Sequence, residues 1–207
     1  MTDFIELTDE QRAERAERLA AGPIPGGEII WYFLDPEKGI RNGGRDPKAD
    51  HCASVWKDGN GKIWWTADCV ALTVYSQGWA RRVAAFKEYV FQGRGAINTD
   101  SMLADAKRTQ SVCMPLTMPR RGCAITMPSV RNADGSRSTP GHTGTVVEVL
   151  AGFDPRKPDL RLVRVAHASP RNHKRFGQAI GITDGTVFGS RGGWAFLEFR
   201  RAPRPAA

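Results

Sequence analysis

No pair of cysteines in this sequence is spaced as C-x-x-C. The four present, Cys52, Cys69, Cys113 and Cys123, follow none of the spacings of a small disulfide-framed fold. A disulfide scaffold is thereby excluded, and the chain reads as made in the cytoplasm. No apolar run approaches the roughly eighteen residues of a membrane span. The opening MTDFIELTDEQRAERAERLA has neither the basic start nor the apolar core of a signal peptide. Action outside the producing cell would therefore need another route of release. Phosphate loops, zinc-finger spacings and RNA-binding signatures are also missing, so nucleic acid is not an expected partner. There is no internal repeat.

What is present is basic charge on a chain of ordinary domain size. The 207 residues carry a formal charge of +8 and a pI near 9.7, enough chain to bury a core without disulfides or metals. The charge suits an anionic partner polymer, such as a phosphate-bearing cell wall, and equally suits a plain solvated basic surface. The basic residues are scattered, with small clusters at Arg81-Arg82, Arg120-Arg121 and Arg200-Arg201.

Thr8-Asp-Glu-Gln11 has the form of a capping box and predicts a charged helix to about Ala21. Gly22–Gly27 stops it, so residues 1–27 read as an N-terminal extension. Glu28–Leu34 reads as a strand, and Asp35–Asp50 as a loop. Val55-Trp56 and Ile63-Trp64-Trp65 flank a turn-rich hexapeptide suited to a hairpin or exposed loop. Val70, Ala71, Val74 and Tyr75 recur with helical spacing from near Asp68. Further helices are expected over Arg81–Phe91 and Thr99–Lys107, the latter capped by Thr99 or Asp100. The period then changes. Cys123–Met127, Thr145–Leu150, Leu160–Ala166 and Trp194–Arg200 read as strands divided by turns such as Asn132–Ser136. Helices first and an antiparallel sheet afterwards is the α+β pattern. One domain over 28–200 is expected, with 201–207 as a loose tail.

The chemistry centres on Cys69. At a helix start its thiolate would face free backbone N–H groups and the positive end of the helix dipole, which favour the reactive form. A reactive thiol needs a base, and the histidines are His51, His142, His167 and His173. His142 lies in the turn Gly141-His-Thr-Gly144 that opens a strand, and His167 closes the strand in "RVAHAS". If those strands are neighbours, one imidazole can act as base and the other can orient it.

An Asp-Cys pair opening a helix, a G-H-x-G turn opening a strand and an H-A-S closing the next resemble the NlpC-like and CHAP-like cell-wall cysteine peptidases, a papain-related superfamily. "NTDSMLADA" followed by "MPRRGCAITM" is similar to the segment leading into the family's Pro-Gly-Asp-Leu-type strand. The resemblance spans roughly Trp56 to Ala168. It implies a papain-like fold, with the nucleophile at a helix start packed on an antiparallel sheet. It also implies Cys69 as nucleophile, His142 as general base and His167 as its orienter, cleaving amide bonds of peptidoglycan stem peptides with no metal or organic cofactor. Val70-Ala71 stands where Ser-Gly is common, Gly122-Cys-Ala where Gly-Asp-Leu is usual, and Trp56-Lys57 where a tyrosine often helps the oxyanion. Asp68 is placed beside the site by the Asp-Cys pair, and Trp56, Trp64 and Trp65 are expected to line a substrate groove.

Other readings of these residues stay open. A cysteine on an amphipathic helix is often small core filler, the reading given to Cys52, Cys113 and Cys123. His51-Cys52 with Cys69 and a later histidine could furnish a zinc site, although without a short chelating pair. His173 reads as part of a solvated basic loop, and the tryptophans as core. Charge and size suit a phage lysin, a tail-associated hydrolase or an injected antibacterial effector. The alternatives are an acyl hydrolase or transferase on a non-wall substrate, and a catalytically inactive module that binds cell wall or helps assemble a virion.

Overall fold

A computed structural model describes residues 6–21, 30–31, 54–57, 63–66, 69–79, 97–169 and 180–200. Helix α1 (Asp9–Ala21) is followed by strands β1 (Ile30–Trp31), β2 (Ser54–Lys57) and β3 (Ile63–Thr66), then by helices α2 (Cys69–Ser76) and α3 (Thr99–Lys107). Strands β4 (Cys113–Leu116), β5 (Ala124–Met127), β6 (Val130–Arg131), β7 (Arg137–Thr139), β8 (His142–Val149), β9 (Val163–Ala168) and β10 (Ile180–Asp184) come next. The short helix α4 (Thr186–Gly189) and strand β11 (Ala195–Phe199) complete the described chain. The class is α+β, as the change of period predicts.

The main sheet has the order β10-β9-β8-β5-β11-β4, with antiparallel neighbours throughout. Register assigns its two faces. Cross-strand partners point the same way and successive residues point opposite ways. Thr145 on β8 opposes Ala124 and Ala166, whereas His142 opposes Met127. The Thr145 face carries the helices: Ser76 Oγ of α2 lies 2.5 Å from Thr145 Oγ1. Val70, Val74, Met102, Ala124, Leu197 and Phe199 form the core on that side. On the other face Ile125, Met127, Val146, Val165 and Phe196 close around Phe188 of α4. Each such large side chain contributes about 1.5–3 kcal/mol by leaving water.

The Thr8–Gln11 capping box is present, with Thr8 N–H donating to Gln11 Oε1 (2.9 Å) and Gln11 N–H to Thr8 Oγ1 (3.2 Å). The helix it opens is no free arm. Ala16 is buried against Val147 and Ala166, and Arg12 Nη2 donates to the Phe199 carbonyl at 2.9 Å. Arg120 and Arg121, read above as part of a basic surface, are engaged by acids. Arg120 pairs with Asp9 and Glu198, Arg121 with Glu10 and Glu17. Gly122 makes the approach possible. Its φ is +88°, and a Cβ there would stand 2.2 Å from the Asp9 carbonyl oxygen. Within the expected extension 1–27, the helix 9–21 thus packs on the main sheet and α2.

Several expected boundaries move. The cap of α3 is Asn98, whose side chain accepts from Ser101 N–H while Ser101 Oγ accepts from Asn98 N–H. It replaces Thr99 or Asp100 because its backbone is extended where theirs is helical. Residues 160–162, expected to be strand, form a 3-10 turn capped by Asp159, and β9 begins at Val163. Strand β8 starts at His142, three residues before the expected strand. The turn-rich hexapeptide does separate two antiparallel strands, with Lys57 opposite Ile63, and β1 joins β3 in parallel to make a three-stranded sheet. The helix expected over Arg81–Phe91, the loop 35–50 and the tail 201–207 lie outside the described residues. Among the described residues, no helix is long and apolar enough to cross a membrane.

Candidate active site

Strands β8 and β9 are neighbours, and they bring His142 and His167 together. His142 Nε2 lies 2.8 Å from His167 Nδ1, the rings meeting edge-on with centroids 4.9 Å apart. Two glycines of the G-H-x-G turn make room for this. A Cβ on Gly144 would stand 2.9 Å from His167 Cβ and 2.5 Å from Val165 Cγ1. One on Gly141 would strike Thr99 Oγ1 of α3 at 2.1 Å. The first glycine lets α3 close on the turn, and the second lets the His167 ring reach diagonally to His142.

Phe188 clamps the pair. It stacks on His142 with centroids 5.1 Å apart and planes 18° apart, and meets His167 edge-on at 5.6 Å. His142 is half-buried, while His167 and Phe188 are fully buried. The far side of His167 is also engaged: its Nε2 lies 2.8 Å from Thr183 Oγ1 on β10. Arg191 braces the turn itself, donating from Nη2 to the Pro140 carbonyl at 3.1 Å. Neither Phe188 nor Thr183 emerged from the sequence. "IGITD" has a strand's alternation, but its internal glycine weakens the signal, and nothing local marks Phe188 as an imidazole partner.

Cys69 is the first residue of α2, as expected. It is half-buried and packs against the core on the helix-bearing face. Polar anchors hold the C-terminal end of α2. Besides the Ser76–Thr145 contact, Gln77 Nε2 donates to the Gly122 carbonyl at 2.8 Å. Cys69 lies seven residues up the axis from Ser76, about 10 Å by helical rise. The imidazoles belong to the opposite face, as the pairing of His142 with Met127 fixes. The structure thus assembles the histidine pair, and it sets Cys69 at the start of α2 against the helix-side core.

Cys113 and Cys123 behave as core filler. Both are buried, and burial raises both thiols above their ordinary value, Cys123 to about 12. In register, Trp56 opposes Trp64 across β2 and β3, and Trp65 opposes Trp31 of β1. Asp68, His51, Cys52 and His173 lie outside the described residues, and with them the zinc alternative. Among the described residues, no group of three or more His, Cys, Asp or Glu could hold a metal ion.

Compared with known proteins, the chain matches no family model, and no curated protein matches it significantly.

Proposed function

We propose that the protein is a papain-like cysteine hydrolase that cleaves amide bonds in peptidoglycan stem peptides. The observation that carries this reading is the direct bond between His142 Nε2 and His167 Nδ1. It supplies a base and its orienter on adjacent strands, in the chain order that follows a helix-opening cysteine. His142 takes the Cys69 proton, and the thiolate attacks the scissile carbonyl. The leaving amine departs with the proton from His142, and water activated by the same imidazole releases the acyl group. Proton transfer works over about 2.6–3.2 Å or through one water, so this reading requires the Cys69 sulfur to come that close to the nitrogen of His142 that accepts the proton. The reading takes Trp56, Trp64, Trp65 and Asp68 as its substrate-binding residues, and the net basic charge favours an anionic wall polymer. A chain of this kind would reach the wall by cell lysis, on a virion or by injection.

Val70-Ala71 after Cys69, where the resembled family commonly has Ser-Gly, favours a second reading, a catalytically inactive relative that binds wall polymer or helps assemble a virion. Digestion of purified sacculi by the wild type and by Cys69→Ala, with fragments identified by mass spectrometry, separates the two. New stem-peptide fragments from the wild type alone support the hydrolase. Equal inactivity of two folded proteins, with retained binding to sacculi, supports the module.

A further inference from the structure

The hydrogen bonds beyond the histidine pair fix which nitrogen of His142 carries a proton. Thr183 Oγ1 lies 2.9 Å from the carbonyl oxygen of Asp184. A carbonyl only accepts, so the single hydroxyl proton of Thr183 is directed there. The same oxygen can then only accept from His167 Nε2, 2.8 Å away. A neutral imidazole has one N–H and one lone pair. With the proton on Nε2, His167 turns the Nδ1 lone pair to His142 and receives the N–H of His142 Nε2 across 2.8 Å. His142 in turn holds its own lone pair on Nδ1. Three donors, His142, His167 and Thr183, thus run in a single direction and end on the Asp184 backbone carbonyl.

We infer that Thr183 is a positioning residue: its hydroxyl sets the tautomer of His167 and, through it, makes Nδ1 the basic nitrogen of His142. The topology suits the task. On β10 the residue opposite His167 is Gly181, and Thr183 opposes Val165. The imidazole therefore passes over a position with no side chain to reach the hydroxyl diagonally. The Asp184 carboxylate is turned elsewhere, accepting from Thr186 N–H at 3.0 Å and from the Thr186 hydroxyl. A carbonyl, and not a carboxylate, therefore ends the chain. When Nδ1 accepts a proton from the nucleophile, the Nε2–H bond of His142 stays intact, and His167 and Thr183 keep their protons.

The kinetic consequence rests on the proposed hydrolase, but the tautomer does not. The test is nitrogen-15 NMR of the full chain, at a pH where both imidazoles are neutral, for the wild type, Thr183→Val and Thr183→Ser. The wild type is expected to show Nε2–H at both His142 and His167. Valine keeps the branched shape without the hydroxyl and is expected to populate Nδ1–H at His167 and to disturb the His142 tautomer. Serine restores the wild-type pattern. Nδ1–H tautomers in the wild type, or a valine variant with unchanged tautomers, would overturn the assignment. If sacculi are cleaved, kcat should fall about tenfold or more in the valine variant with little change in KM, and recover with serine. Altered tautomers without any wild-type cleavage would leave Thr183 in its positioning role and sink the hydrolase instead.

Discussion

The ring of Phe188 lies stacked on the imidazole of His142, 5.1 Å between centroids. The same ring is fully buried among Ile125, Val146, Leu160 and Val165. One side chain therefore joins the core of this face to the candidate base. Phe188→Ala is expected to cost about 3–5 kcal/mol in urea unfolding. Phe188→Leu should cost less while still loosening the stacked imidazole, visible as broadened His142 ring resonances. A leucine variant with unchanged His142 signals would show that stacking does not hold the ring.

Docking of α1 depends on the absence of a side chain at Gly122. Gly122→Ala would place a methyl group 2.2 Å from the Asp9 carbonyl oxygen, at a φ of +88°. The left-handed backbone alone costs an alanine about 1–2 kcal/mol, and the collision adds to it. The expected result is lower stability together with faster proteolytic cleavage within residues 9–21 than in the wild type. Unchanged cleavage would restore the view of this segment as an independent arm.

Asp105 ties α3 to β4. Its Oδ2 accepts from the backbone N–H of Val112 (2.9 Å) and Cys113 (2.7 Å), and its Oδ1 from Ser111 N–H, the Ser111 hydroxyl and the Thr109 hydroxyl. Burial pushes its pKa up, but these donors outweigh burial and hold the carboxyl below its usual value. The unfolded chain therefore binds the extra proton between the two pKa values, and stability rises with pH across that window. The contribution is complete above the ordinary value of 3.8 and is lost as pH falls through the folded-state pKa. Asp105→Asn should flatten this acid limb and cost about 2–4 kcal/mol at neutral pH, because an NH2 then faces buried donors. An asparagine variant with the same acid unfolding profile as wild type would contradict this role.

The sequence shows these relationships unevenly, for physical reasons. Local signals act over a few residues. The Thr8–Gln11 box, the helix start at Cys69 and the alternation of β8 were therefore all legible. The pairing of His142 with His167 was legible only conditionally, because it needs β8 and β9 to be neighbours. The docking of α1 depends on Gly122, more than a hundred residues away in sequence, and no local pattern encodes that approach. Nor does the sequence say that α2 covers the Thr145 face while His142 points to the other. A one-residue change of parity along β8 reverses that relation without altering any motif.

The central claim is that the Cys69 thiol and the His142 imidazole act together. Mass-spectrometric mapping of iodoacetamide labelling at pH 7, in the wild type and in His142→Ala, tests it most directly. Cys113 and Cys123, buried and with raised pKa values, serve as internal controls that label only after unfolding. The account predicts rapid labelling of Cys69 in the native wild type, slowed at least tenfold in His142→Ala. Slow labelling of Cys69 at the same rate in both proteins would contradict it, leaving the cysteine as part of the helix-side core.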